Sequence, residues 1–128
     1  MTDFRPVGIL EHRARLARED REEDFQKRII DLAQRAGWLV YHTHDSRRSQ
    51  KGFPDLVLVH ATRGLVLFRE LKTEKGTLRP EQRTWIHDLT EAGQDAAVWR
   101  PRQWFDQTIP DLLTGRTAAP AFDDRTQP

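Results

Sequence analysis

Phe53-Pro54-Asp55-Leu56-Val57-Leu58-Val59-His60-Ala61-Thr62-Arg63-Gly64-Leu65-Val66-Leu67-Phe68-Arg69-Glu70-Leu71-Lys72 is the stretch that decides the fold. Two runs of branched and aromatic residues flank a short turn, Ala61 to Gly64, which reads as a β-hairpin with strands over 54–60 and 65–72. A turn centred between Thr62 and Arg63 sets His60 opposite Leu65, Val57 opposite Phe68 and Asp55 opposite Glu70. Two carboxylates facing each other across a sheet repel, and a divalent cation between them is the economical remedy. If Gly64 instead pulls the turn later, Asp55 faces Lys72 in an ordinary cross-strand ion pair.

Strand periodicity adds a second constraint. Glu70 and Lys72 stand two apart and project from one face, which Asp55 shares when it opposes Glu70. Two hard oxygen ligands beside an ammonium group suit Mg²⁺ or Mn²⁺, ions that keep several waters and bind phosphate oxygens. Chemistry of that kind is hydrolysis by a metal-activated water, with Lys72 orienting the water or stabilising charge on the phosphate.

Outward from the hairpin, helices and strands alternate. Phe25, Ile29, Leu32, Ala33 and Ala36 recur at three- and four-residue spacing, so a helix is expected over 20–36, stopped by Gly37. Trp38 to His42 reads as a strand, and Asp45 to Gly52 as a polar, basic loop. A second helix is expected over 80–92, with Pro80 at its first position, Arg79 a poor N-cap, and Trp85, Ile86 and Leu89 as its buried stripe. Ala96 to Arg100 forms a fourth strand, and residues 104–113 a closing element interrupted by Pro110. The order helix, strand, strand, strand, helix, strand predicts an α/β fold, a mixed four-stranded sheet flanked by helices.

Composition narrows the chemistry. The chain has 128 residues, a net charge of +1 and no cysteine. Disulfides, thiolate metal sites and cysteine nucleophiles are therefore excluded, and any metal must be held by oxygen or imidazole. Near-neutral charge excludes a purely electrostatic nucleic-acid binder but leaves room for a local basic patch. The apolar runs fall far short of the roughly 20 residues needed to cross a bilayer. A soluble, intracellular protein is expected.

Phe53-Pro54-Asp55 followed by Glu70-Leu71-Lys72 resembles the P-D…(D/E)-x-K signature of the restriction-endonuclease-like nucleases. Glu22 with Phe25-Gln26, Gly37-Trp38, His42 to Arg48, Gly52 to Leu56, Glu70 to Gly76, Gln82 and Gly93 extend the resemblance to the VRR-NUC branch, over about residues 20–104. That branch includes many small phage and bacterial proteins and the nuclease domain of a eukaryotic DNA-repair enzyme. The resemblance implies an αβββαβ core and a DNA endonuclease that uses one or two Mg²⁺ or Mn²⁺ ions and leaves a 5′-phosphate. A junction or flap as substrate, a homodimer, and the cytoplasm of a bacterial or phage-infected cell belong to the same expectation. It implies Asp55, Glu70 and the backbone carbonyl of Leu71 as metal ligands, Lys72 as the catalytic lysine, and Gln82 as the helix glutamine that supports the site. On this reading residues 20–114 are the nuclease domain, 1–19 an arm or accessory helix, and 115–128 a disordered tail.

Other residues admit two readings. Glu22 shares a helix face with Phe25, Gln26 and Ile29, so it can reach over the sheet toward the metal or serve as a solvated acid in a first helical turn. Gln82 is a site residue or a buried, hydrogen-bonded amide. Arg47, Arg48 and Lys51 before Asp55, and Lys75, Arg79 and Arg83 after Lys72, are candidates to contact a nucleic-acid backbone, or are solubilising charges. His44 and Asp45 are candidates to grip the scissile strand. His42, His44 and His60 suggest zinc only weakly, because no further ligands stand at a suitable spacing. Trp38, Trp85, Trp99 and Trp104 read as core anchors rather than stacking platforms. The rival functions are a non-cleaving nucleic-acid-binding module and a phage structural or interaction protein.

Overall fold

The computed structural model describes residues 6–43 and 50–116. Two 14-residue helices open the chain, α1 (Pro6–Glu19) and α2 (Glu22–Arg35). Phe25, Ile29 and Ala33 recur every fourth residue on α2 and are buried together, while its first turn carries Glu22, Glu23 and Asp24, charges that suit the positive end of a helix dipole. Gly37 ends the segment at φ +95°, a left-handed conformation that favours glycine, and the chain turns into β1 (Leu39–His42).

The hairpin follows as β2 (Leu56–His60) and β3 (Leu65–Leu71). Then come α3 (Pro80–Glu91), β4 (Asp95–Trp99), α4 (Pro101–Phe105) and α5 (Thr108–Thr114). The sheet runs β1-β2-β3-β4. Its first two pairings are antiparallel and the third is parallel, which is why a crossover helix, α3, must lie between β3 and β4. The architecture is thus the mixed four-stranded sheet flanked by helices that the element order implied.

The two faces of the sheet differ. Leu56 and Leu58 of β2 and Leu67 and Leu71 of β3 point to one side, where they join Phe25, Ile29, Ala33, Ile109 and Leu113 in the core. Burying each such side chain stabilises the fold by roughly 1.5–3 kcal/mol before entropy is counted. On the opposite face α3 packs through edge-to-face contacts of Phe53 with Phe68 and with Trp85, ring centroids 6.4 and 5.0 Å apart. Beyond the hairpin, α1 packs on α4, and the Asp20–Arg28 ion pair closes the corner between α1 and α2.

Three expectations need correction. Pro110 does not interrupt the closing element. The break falls at Gln107, which takes φ +75° between α4 and α5, and Pro110 sits in the first turn of α5, where a missing N–H costs nothing. The stripe expected on α3 is only half-buried: Trp85, Ile86 and Leu89 are all partly exposed, and Gln82 is the one buried residue of that helix. Of the four tryptophans, Trp38 and Trp99 anchor the core, whereas Trp85 and Trp104 are partly exposed.

Candidate active site

In the hairpin, Leu56 pairs with Arg69, Val57 with Phe68 and His60 with Leu65. Of the two registers open to the sequence, this is the one that carries Asp55 toward Glu70. Asp55 lies one residue outside the ladder and is tied down at both its ends. Its carbonyl accepts from the Thr43 N–H at 3.0 Å, and its carboxylate Oδ2 accepts from the Leu71 N–H at 2.8 Å. A strand residue sends its N–H and C=O to the same side, so the Leu71 carbonyl is directed toward Asp55 as well.

Glu70 and Lys72 emerge from one face of β3, with Lys72 Nζ 3.8 Å from Glu70 Oε2. The same Oε2 accepts a 2.7 Å hydrogen bond from Gln82 Nε2 on α3. Gln82 in turn accepts from the Arg79 N–H through Oε1 at 2.9 Å, which satisfies one of the free donors of the helix start. The side chain of Arg79 makes no capping bond. One amide therefore serves both readings of Gln82: it closes the first turn of α3 and orients the carboxylate of Glu70.

Electrostatically the site is short of positive charge. Glu70 is 2% exposed, and its Oε1 is buried with no hydrogen-bond partner. Burial first, and the charge of Asp55 second, push the Glu70 carboxyl up to about 8, with Lys72 opposing. Asp55 is raised by burial too, against the stabilising Leu71 N–H, a side-chain hydrogen bond with the Glu70 carboxyl, and the charges of Lys72 and Arg79. Glu22, the first residue of α2, is exposed as a residue, yet its carboxyl feels the charges of the cluster. Partial burial and the charge of Asp55 raise it, while Lys72 and Arg79 pull it down.

These donors suit a hard divalent cation. Two carboxylates and a carbonyl are oxygen ligands, and the unpartnered Glu70 Oε1 is an atom that a cation would satisfy. Among the described residues, no group of three histidine or acidic side chains is arranged to hold a metal. An ion at Asp55 and Glu70 would therefore complete its shell with water and substrate, as Mg²⁺ commonly does. No zinc cluster forms among the described residues either, and His44 lies outside them. His60 is taken up structurally: Nε2 lies 3.2 Å from the Ala36 carbonyl, Nδ1 accepts from the Arg63 N–H, and the ring packs edge-on against Trp38.

The candidate cations divide. Arg47 and Arg48, like His44 and Asp45, lie outside the described residues, as do residues 117–128 of the expected tail. Lys51, Lys75, Arg79 and Arg83 are all exposed. Lys51 is brought to α3 by a close backbone approach. A Cβ on Gly52 would stand 2.6 Å from the backbone of Glu81, and the Lys51 carbonyl accepts from Trp85 Nε1 at 3.2 Å. Arg83 donates to the Leu78 carbonyl at 2.8 Å. Lys51, Arg79 and Arg83 thus gather near the N-terminal end of α3, and Lys75 stands on the turn that follows Lys72.

Reading the residues alone missed two features. The bond from the Arg79 N–H to Gln82 was visible as a glutamine at the third position of a helix, half of a capping-box signature. The contacts of Arg100 with the turn after Lys72 had no local signal, because they join segments more than 20 residues apart.

With the geometry established, comparisons place it. A family model for the VRR-NUC domain matches residues 10–103. A solved structure titled "VRR_NUC domain" is similar over 70% of this chain and 94% of its own, with a TM-score of 0.59. At 24% sequence identity that likeness speaks to the fold. No curated protein matches the chain.

Proposed function

Starting from the chain's membership of the VRR-NUC family, a nuclease-family domain, we propose that this protein is a divalent-metal-dependent endonuclease that hydrolyses phosphodiester bonds in DNA. The observation that carries the reading is the meeting of Asp55, Glu70 and Lys72 on one end of one sheet face, with a buried Glu70 oxygen left unpartnered.

Asp55, Glu70 and the Leu71 carbonyl would hold Mg²⁺ or Mn²⁺. When bound, such an ion polarises a phosphoryl oxygen and acidifies water. The chain's own residues do the rest. Lys72, beside Glu70, offers an ammonium to the negative charge that builds on the phosphate. Gln82 holds the Glu70 carboxylate in place. Glu22 adds a third acid beside the site, its carboxyl raised by partial burial and then by the charge of Asp55. Lys51, Lys75, Arg79 and Arg83 grip flanking phosphates, and Arg47 and Arg48 are assigned the same task. Residues 20–114 constitute the nuclease unit, and α1 is its accessory helix. A junction or a flap is the substrate class, and a second copy of the chain supplies the second cut where both strands are severed, since a two-fold enzyme matches a two-fold substrate.

The test is a panel of labelled plasmid, linear, flapped and four-way DNA, with an RNA control, incubated with Mg²⁺, Mn²⁺ or EDTA. Cleavage should need the metal and vanish in Asp55→Ala and Lys72→Ala, with both variants still folded by circular dichroism. Metal-independent cutting, or undiminished cutting by Asp55→Ala, would refute the reading. Metal-dependent binding without cleavage would favour a non-cleaving binding module instead.

A further inference from the structure

The ammonium of Lys72 stands 3.8 Å from Glu70 Oε2, a long ion pair, and the segment that follows borders its aliphatic stem. Thr73 to Gly76 forms a turn in which the Gly76 N–H donates to Thr73 Oγ1 at 3.1 Å. Gly76 has no side chain to fill the inside of that turn: a Cβ there would lie 3.5 Å from Lys72 Cδ. The aliphatic stem of Lys72 therefore passes beside the turn, in the space that a side chain at Gly76 would enter.

The turn is itself clamped by Arg100, the residue between β4 and α4. Nη1 of Arg100 donates to the Thr73 carbonyl at 2.7 Å and the Gly76 carbonyl at 2.8 Å, with the Glu74 carbonyl at 3.4 Å. Three carbonyl dipoles aimed at one point repel unless a cation stands there, and a charged donor strengthens each bond. The next residues add to the clamp. The Arg102 N–H donates to Glu74 Oε2 at 2.7 Å. Independently, the Lys72 N–H is held by the Trp99 carbonyl at 3.1 Å. Loss of the guanidinium would thus leave the Lys72 N–H on Trp99 and take away the ordered turn beside its side chain.

We propose that Arg100 is the positioning residue for Lys72: it gathers the Thr73–Gly76 carbonyls and so fixes the surface on which the Lys72 stem lies. The proposal rests on the nuclease reading for its consequence in catalysis, but not for its physical content. A 1 Å displacement of a catalytic group can cost on the order of 100-fold in rate.

The chain has four lysines, Lys27, Lys51, Lys72 and Lys75, so lysine-selective ¹³Cε labelling resolves them. Lys72 is assigned by its disappearance in Lys72→Arg. In Arg100→Gln the Lys72 signal should move toward those of the exposed lysines and sharpen, while the Gln82 side-chain amide stays in place. Arg100→Lys, whose ammonium can still meet several carbonyls, should restore most of the shift. In cleavage assays Arg100→Gln should lower kcat on the order of 100-fold with KM within about threefold, and Arg100→Lys should recover much of it. An unmoved Lys72 signal in folded Arg100→Gln overturns the proposal. So does unfolding of both variants, which would make Arg100 a residue of the fold alone. The spectroscopic arm needs no cleavage, so an inactive wild type would count against the nuclease reading and leave this one standing.

Discussion

Gln82 Nε2 and Glu70 Oε2 are joined by a 2.7 Å hydrogen bond between two buried side chains, one on a helix and one on a strand. Through it the first turn of α3 and the carboxylate pair of the hairpin become one structural unit. Gln82→Ala would remove both bonds of that amide and leave Glu70 Oε2 without this donor. A loss of about 1–3 kcal/mol in stability is expected, together with a fall in cleavage rate. Urea denaturation and single-turnover kinetics measure the two, and a variant unaffected in both would show that the link has no consequence.

Added Mn²⁺ should raise the melting temperature of the wild type, because an ion that binds only the folded site stabilises it. At 100 times the dissociation constant the gain is about 2.7 kcal/mol. Differential scanning fluorimetry in EDTA against Mn²⁺ measures it. The increment should disappear in Asp55→Ala and in Glu70→Ala. An equal increment in all three proteins would place the ion elsewhere.

Without metal, stability should fall as pH rises. The Glu70 carboxyl goes from an ordinary value of 4.5 to about 8 in the fold, so the folded state binds the extra proton. Its contribution is complete below the unfolded pKa and is lost as pH rises through the folded one, between about 4.5 and 8. Asp55, also raised, acts in the same direction. Urea midpoints in EDTA should therefore decline across that window, and Glu70→Gln should flatten the decline. A profile as steep in Glu70→Gln as in the wild type would assign the effect to other groups.

Gly52→Ala should be severely destabilising. The residue holds φ +89°, and an added methyl would meet the backbone of Glu81 at 2.6 Å, which cannot swing aside as a side chain can. The conformational cost alone is about 1–3 kcal/mol, and the clash adds to it. Thermal melts would register the loss, and nucleic-acid affinity should fall with it as Lys51 moves away from α3. Wild-type stability in Gly52→Ala would mean that loop and helix separate freely.

Much of this arrangement was legible in the residues because it is local. Alternation with a period of two identified the hairpin, and the same period placed Glu70 and Lys72 on one face. Which register joins the strands was not legible, for a specific reason. The two candidate pairings differ by a slip of two residues, and only an odd slip moves a side chain to the other face. Leu56, Leu58, Leu67 and Leu71 would face the core in either, so hydrophobic pattern is blind to the choice. In the fold, Asp55 is tied to Leu71 and Glu70 is met by Gln82, contacts that belong to the pairing of Leu56 with Arg69.

Taken alone, the order of residues determined the kinds of element, the mixed sheet and the acids and amine of the candidate site, since propensity and periodicity act between near neighbours. Only the folded chain decided that Gln82 serves Glu70, that Gly52 seats a loop on α3, and that Arg100, just past β4, meets the turn just past β3. Such contacts link segments distant in the chain, and they come into being when burial brings those segments together.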